Sequence, residues 1–191
     1  MARSARLAVA VLAAGSSRRF GVEDKLAAQF RGKMLGLHAT DAIPCDLFRH
    51  RWVIVATEDH PCAKGWRAAG FEIEPNSRAE EGMGTSVALA ASLAIGAGAD
   101  ALLIALADMP LVPQSHFTAL ANRSTPGGVA VSSDGSARMP PAIFGAKHLP
   151  HLARLGGDIG ARAILSEGEA IECPPEWLVD IDTPEALAAL A

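Results

Sequence analysis

Short runs of uninterrupted apolar residues alternate along this chain with stretches in which apolar positions recur every three or four residues. The first kind is strand-like and the second helix-like. Leu7–Leu12, Arg51–Ala56 and Ala101–Ala107 are the strongest strand signals, and Ala101–Ala107 is the most hydrophobic and reads as central. Phe71–Glu74, Val129–Ser132, Ala142–Phe144 and Trp177–Ile181 read as further strands, and Leu26–Phe30 as a short one before a turn at Arg31-Gly32. Helical spacing is found over Leu35–Ile43, stopping before Pro44, and over Cys62–Ala69, closed by Gly70. A third helix runs to about Ile95 from a cap at Thr85 or Ser86, and a fourth covers Gln114–Ala121. Lys147–Leu155 and Ile159–Ser166 follow, and Thr183 caps a last helix that has Pro184 in its first turn. Continuously apolar strands alternating with helices predict an α/β chain with a mostly parallel sheet in three layers. No repeat or linker divides it, so residues 1–191 are expected to form a single domain.

In such sheets, ligands bind at the carboxyl ends of the strands. Here those ends carry Gly15 and Asp108, with Asp180 and Asp182 close to another. The stretch Val9–Lys25 is the most informative. An apolar strand breaks at Gly15 and becomes a loop of small residues holding Arg18 and Arg19 and ending on Lys25. Glycine admits close backbone approach, and free N–H groups and cations suit an anion. The loop is neither GxGxxG nor GxxxxGK[ST], which disfavours dinucleotide redox and Walker-type hydrolysis.

Composition narrows the ligand. Half of the 191 residues are hydrophobic and the net charge is −4, yet residues 1–33 carry seven Arg/Lys against Glu23 and Asp24. Cations gathered at one end of an acidic chain suit a small anion better than a nucleic acid, and aromatics at 5% disfavour base-stacking single-strand binding. Cys45, Cys62 and Cys173 lack CxxC spacing, so neither zinc nor a disulfide framework is expected. The six histidines (His38, His50, His60, His116, His148, His151) form no ligand set and read as surface residues. Arg3 and Arg6 before Leu7–Ala14 have the look of a short export signal, but a first buried strand explains the run equally well. No run of 18 apolar residues occurs, so no membrane span and a cytoplasmic location are expected.

Four further constellations stand out. Asp108, in Leu106-Ala107-Asp108-Met109-Pro110, puts a carboxylate at the end of a buried strand, where it caps a turn or binds a cation such as Mg²⁺. Glu81-Gly82-Met83-Gly84-Thr85-Ser86 is a glycine-rich turn leading into a helix. Gly157-Asp158-Ile159-Gly160-Ala161-Arg162 offers Asp158 as a helix cap or a ligand contact. Asp180-Ile181-Asp182-Thr183-Pro184-Glu185 offers the same choice at Asp182 and Thr183.

Leu12-Ala13-Ala14-Gly15-Ser16-Ser17-Arg18-Arg19-Phe20-Gly21 with Lys25-Leu26 resembles the signature L-A-[AG]-G-x-S-x-R-[MF]-G…K-L of MobA-like nucleoside-triphosphate transferases. Together the motifs span residues 7–186, and they are most similar to the molybdenum cofactor cytidylyltransferase branch. The resemblance implies a Rossmann-like nucleotidyltransferase fold. It implies a Mg²⁺-dependent enzyme that transfers CMP from CTP to the phosphate of molybdopterin and releases pyrophosphate. In that reading Arg19 and Lys25 are catalytic, and Leu12, Ala13, Ala14, Gly15, Ser16, Gly84, Thr85 and Ser86 bind the nucleotide. Backbone N–H groups of residues 13–16 cradle phosphate or base, Asp108 and Asp182 hold the metal, and Asp158 and Asp180 face the acceptor. A molybdoenzyme or its chaperone is the implied downstream partner, with neither nucleic acid nor membrane involved. Ala14 and the D-x-D-T-P-E ending favour cytidine over guanosine. A guanylyltransferase of the same cofactor, a transferase for another phosphorylated acceptor, and a non-catalytic cofactor-binding chaperone remain as alternatives.

Overall fold

The computed structural model describes residues 5–15, 20, 24–157 and 162–190. Among the described residues, nine strands are β1 (Leu7–Leu12), β2 (Gln29–Phe30), β3 (Lys33–Met34), β4 (Phe48–Val55), β5 (Glu72–Pro75), β6 (Ala101–Leu106), β7 (Val129–Ser133), β8 (Arg138–Gly145) and β9 (Glu169–Glu172). The helices are α1 (His38–Ala42), α2 (Ala63–Ala68), α3 (Met83–Gly96), α4 (Gln114–Ala121), α5 (Leu149–Leu152), α6 (Arg162–Glu167) and α7 (Pro184–Leu190). Seven strands make one sheet in the order β5-β4-β1-β6-β8-β7-β9, while β2 and β3 form a separate small hairpin. Among the described residues, β8 is the one strand of the large sheet that runs against its neighbours.

Two apolar clusters flank the sheet, which makes it the middle of three layers. Val9, Val11, Leu103 and Ala105 face a cluster shared with Trp66 of α2 and Phe117 of α4. Ala8, Ala10, Leu102 and Ile104 face a second cluster built with α3, Leu149 and Leu152. Successive strand residues point to opposite faces, so a strand covered on both sides must be apolar throughout, as β1 is. Each fully buried leucine of β6 contributes about 1.5–3 kcal/mol. Ala90, Ala91 and Ala94 of α3 are entirely buried. Their small side chains let the helix lie close over the sheet without a bulky ridge between them.

Three expectations need correction. Leu26–Phe30 opens as a 3-10 turn over Lys25–Ala27, because the Asp24 carboxylate accepts the Leu26 N–H at 2.9 Å and starts a helical turn; only Gln29–Phe30 is strand. Helix α3 begins at Met83, before the expected cap, and its N-cap residue is Gly82, at φ +119°, where a side chain would be strained. Trp177–Ile181 forms no strand. Pro175–Leu178 is a 3-10 turn, and the seventh sheet position is filled by β9, pairing Glu169–Glu172 with β7. The signal for β9 was weak because an edge strand needs little apolar surface, and this one carries a glutamate at each end. The predicted helix over Ile159–Ser166 is described from Arg162 onward, as α6. Among the described residues, no helix is long and apolar enough to cross a membrane.

Candidate active site

The carboxyl ends of β1 and β6 open into a cavity of about 660 Å³. Leu12, Ala13, Ala14 and Gly15 form one wall, Leu106, Ala107 and Asp108 the floor, and Ala79, Glu80, Gly82, Met83 and Ser86 the opposite wall. Lys25 reaches in from the 3-10 turn after the loop. Beyond β1, the Ala13 N–H is donated to the Ile54 carbonyl at 2.8 Å, so that donor belongs to the sheet and is not free for the cradle expected over residues 13–16. A Cβ added at Gly15 would meet nothing within 4 Å, so this wall faces open space.

The strongest electrostatic feature is a three-membered ion cluster. Lys25 Nζ donates to Asp108 Oδ2 at 2.6 Å and to Asp182 Oδ1 at 2.8 Å. The lysine is 7% exposed. Burial by itself pushes its pKa down, but the two carboxylates outweigh that and hold it above the ordinary lysine value, so the ammonium stays charged. Three sequence-distant residues thus meet at one point. Asp182 gets there because Ile181 is fully buried and its N–H is donated to the Asp108 carbonyl at 3.0 Å, which seats the segment after the last 3-10 turn on the end of β6. Asp180, on the other side of Ile181, is exposed.

Asp108 Oδ1 is buried and has no hydrogen-bond partner among the described residues, an arrangement that is costly unless a cation or donor completes it. Among the described residues, no group of three or more His, Cys, Asp or Glu gathers around a common point. Hard oxygen donors, few in number and beside an open cavity, fit Mg²⁺, which binds through one or two carboxylates and draws other ligands from phosphate and water. Asp108 and Asp182 are the residues that would hold it.

On the opposite wall, Asn76 organises the glycine-rich turn. It is 6% exposed, and its amide donates to Thr85 Oγ1 at 2.9 Å and Ser86 Oγ at 3.0 Å, while its Oδ1 accepts from Arg78 N–H at 3.0 Å. The Thr85 hydroxyl faces inward, 2.8 Å from the Arg78 carbonyl and 2.9 Å from that of Gly82. Thr85 therefore closes its own turn, and of the residues proposed there only Ser86 lines the cavity. Gly84 has a packing role: its N–H is donated to Gly157 O at 2.9 Å, and a Cβ there would come within 2.7 Å of the same oxygen. This contact brings the Gly156–Gly157 loop, and so the start of the G-D-x-G-A-R stretch, to the cavity rim. Ser16, Arg19 and Asp158 lie outside the described residues.

Of the histidines read as surface residues, His116 is buried and His60 is half-buried. The His60 side chain is 9% exposed and lies 2.7 Å from Asp24. His116 is 3% exposed and 2.7 Å from the Ser132 hydroxyl. Neither they nor Asn76 stood out in sequence, because each acts through contacts made only after folding. A partial signal for Asn76 is its position directly after the Pro that ends β5.

A cavity at the carboxyl ends of parallel strands, with a lysine and two carboxylates beside it, is where α/β folds place their ligands. The chain belongs to the MobA-like NTP transferase family, whose sequence model matches residues 9–171. It is 34% identical over 198 residues to the purine catabolism protein PucB of Bacillus subtilis, covering 96% of this chain and 95% of that protein. It is 39% identical over 111 residues to a probable molybdenum cofactor guanylyltransferase of Pyrococcus horikoshii, covering 57% of this chain and 52% of that one. A manganese complex of Rv0371c from Mycobacterium tuberculosis has the same fold, with a TM-score of 0.70 at 20% identity over 97% of both chains. The chain is thus a nucleotidyltransferase-family protein with a Rossmann-like α/β fold.

Proposed function

We propose that the chain, acting as one domain in the cytoplasm, transfers CMP from CTP to the phosphate of a molybdopterin-type cofactor and releases pyrophosphate. The observation that carries this reading is the Lys25–Asp108–Asp182 cluster on the cavity floor, which pairs a permanently charged ammonium with an unsatisfied carboxylate oxygen. In the reaction, an oxygen of the acceptor phosphate attacks the α-phosphorus of the triphosphate. One P–O bond forms, the bond to the β-phosphate oxygen breaks, and pyrophosphate leaves with the electron pair. The attacking oxygen is already ionised, so the site needs no base; its tasks are alignment and charge compensation.

Lys25 provides a point charge at the phosphates, and Arg19 a planar fork beside them. Bound Mg²⁺ supplies Lewis-acid neutralisation of the phosphate oxygens. Asp108 and Asp182 would hold that ion and also keep Lys25 on station. Ala14 and Gly15 line the approach of the triphosphate, Ser86 lies on the other wall, and Ser16 joins them by the family resemblance. Asp180, which is exposed, and Asp158 are assigned to the acceptor by the family resemblance. Ala14 and the Asp180-x-Asp182 spacing support CTP over GTP. The alternative, guanylyl transfer to the same acceptor, is favoured by the name of the Pyrococcus relative.

The test is pyrophosphate release with Mg²⁺ and molybdopterin, comparing CTP, GTP, UTP and ATP. Release with CTP alone is the expected result. Release with GTP alone replaces cytidine by guanosine. Binding of CTP without any release favours a cofactor-handling chaperone and overturns the enzymatic reading.

A further inference from the structure

Lys25 can hold its ammonium between two carboxylates only if its backbone is fixed, because a lysine side chain has four rotatable bonds and much rotamer freedom to lose. The structure fixes that backbone from an unexpected direction. His60 lies just before α2. Its Nδ1 accepts the Cys62 N–H at 3.1 Å, which puts the ring proton on Nε2. From there it is donated to Asp24 Oδ2 at 2.7 Å. The ring lies against Trp66, 4.7 Å between centroids, and Trp66 is itself fully buried and donates its indole N–H to Gly36 O at 2.8 Å. The second Asp24 oxygen takes the Leu26 N–H at 2.9 Å. The Leu26 carbonyl in turn accepts the Cys62 thiol at 3.2 Å, and burial pushes that thiol up to about 12, so it remains a donor. The residues on both sides of Lys25 are thereby gripped by the segment leading into α2.

We propose that His60 is a positioning residue for nucleotidyl transfer: through Asp24 it sets the backbone of Lys25 and so aims the ammonium at the phosphates. This rests on the reading that Lys25 meets the triphosphate. The carboxylate is what needs aiming from outside, since the Asp24 side chain is 37% exposed and a partner beyond its own turn keeps it from solvent. A histidine is suited to this because one ring nitrogen is tied to the backbone while the other faces the acid.

The experiment uses inorganic tripolyphosphate with Mg²⁺ as the probe, which makes it independent of the base. Affinity is measured by titration calorimetry for the wild type, Lys25→Ala, His60→Leu, His60→Gln and the Lys25→Ala/His60→Leu double variant, with Tm recorded for each. Leu keeps an apolar contact on Trp66 but loses the donor; Gln restores a donor. His60→Leu is expected to weaken binding by about fivefold to tenfold and His60→Gln by no more than about twofold, while the double variant binds no more weakly than Lys25→Ala alone. Wild-type affinity in His60→Leu, equal losses in the Leu and Gln variants, or additive losses in the double variant each overturn the positioning role. Undiminished binding by Lys25→Ala overturns it too, and with it the assignment of Lys25 to the phosphates. That outcome is distinguishable, because in the other three Lys25→Ala is impaired. Should His60→Leu fail to fold, the comparison of His60→Gln with Lys25→Ala decides: a loss in Gln as large as in Lys25→Ala counts against the proposal.

Discussion

His60 and His116 sit in different halves of the molecule and do different work. His60 flanks the half formed by β5, β4, β1 and β6, and its partner is a carboxylate. His116 belongs to the half formed by β8, β7 and β9, and its partner is the hydroxyl of Ser132, which donates in turn to Pro141 O at 2.7 Å. In the first half, charge is carried inward and aimed at a cavity. In the second, the polar chain is neutral and ends on a backbone carbonyl, where it ties α4 to the antiparallel strand. Buried charge is tolerated only where it is paired or has a ligand to meet. The half that keeps Lys25, Asp108 and Asp182 together is therefore the half proposed to handle phosphate.

The comparison can be broken most directly on the charged side. Lys25→Ala and Asp108→Ala are each expected to lower pyrophosphate release by at least about a hundredfold while the far-UV circular dichroism stays native. Near-normal turnover in both variants would remove the functional distinction between the halves. Chelation of divalent metal should likewise abolish release, and Mg²⁺ should restore it; full activity in EDTA would show that the Asp108 pair is structural. Next in size is Asn76→Ala. It strips a donor from Thr85 and from Ser86, and is expected to cost about 1–3 kcal/mol, or a Tm lower by several degrees. An unchanged melting curve would mean that water replaces the amide.

Gly84→Ala tests whether the cavity rim links the two halves. The new methyl meets a backbone carbonyl that can move only with its loop. A severalfold rise in KM for the acceptor, with little change for the nucleotide, is the expected outcome. Equal effects on both substrates would count against an acceptor role for the Gly156–Gly157 segment.

The smallest effect concerns pH and sharpens the neutral side. Burial lowers the pKa of His116 below the ordinary value of 6.5. A histidine lowered on folding stays neutral in the native state while the unfolded chain takes up a proton. Its contribution is therefore complete above pH 6.5 and declines as pH falls from there towards the native pKa. His38, also lowered chiefly by burial, acts in the same direction. Tm should thus drop on moving from pH 7 to 5.5, and His116→Gln, which keeps a donor for Ser132, should drop by about a degree or two less. Parallel curves for the two proteins would show that His116 does not contribute to the acid sensitivity. Asp24 has the opposite chemistry and a lower window. The His60 hydrogen bond is the main reason its carboxyl is held below 3.8, so its stabilisation is complete above that pH and is lost on further acidification.

Much of this was legible in the order of the residues. The fully apolar β1 and β6 could be nothing but strands covered on both faces, and Gly70, Pro44 and Pro184 punctuate helices by backbone chemistry that is local to them. The glycine after β1 and the aspartate after β6 could be placed at the strand ends, since parallel strands bring their carboxyl ends to one edge. What sequence could not supply was who faces whom. Lys25, Asp108 and Asp182 are 83 and 157 positions apart in their two hydrogen-bonded pairs, and only the seating of Ile181 on the end of β6 joins them. The edge strand β9, the inward turn of the Thr85 hydroxyl and the grip of His60 on Asp24 were likewise decided by packing. Local propensity and periodicity are written along the chain, whereas the partner of a buried polar atom is set by a neighbour that may be a hundred residues away. The sequence by itself determined the layers, the sheet edge proposed to bind and the family; the tertiary structure alone decided which charges meet there.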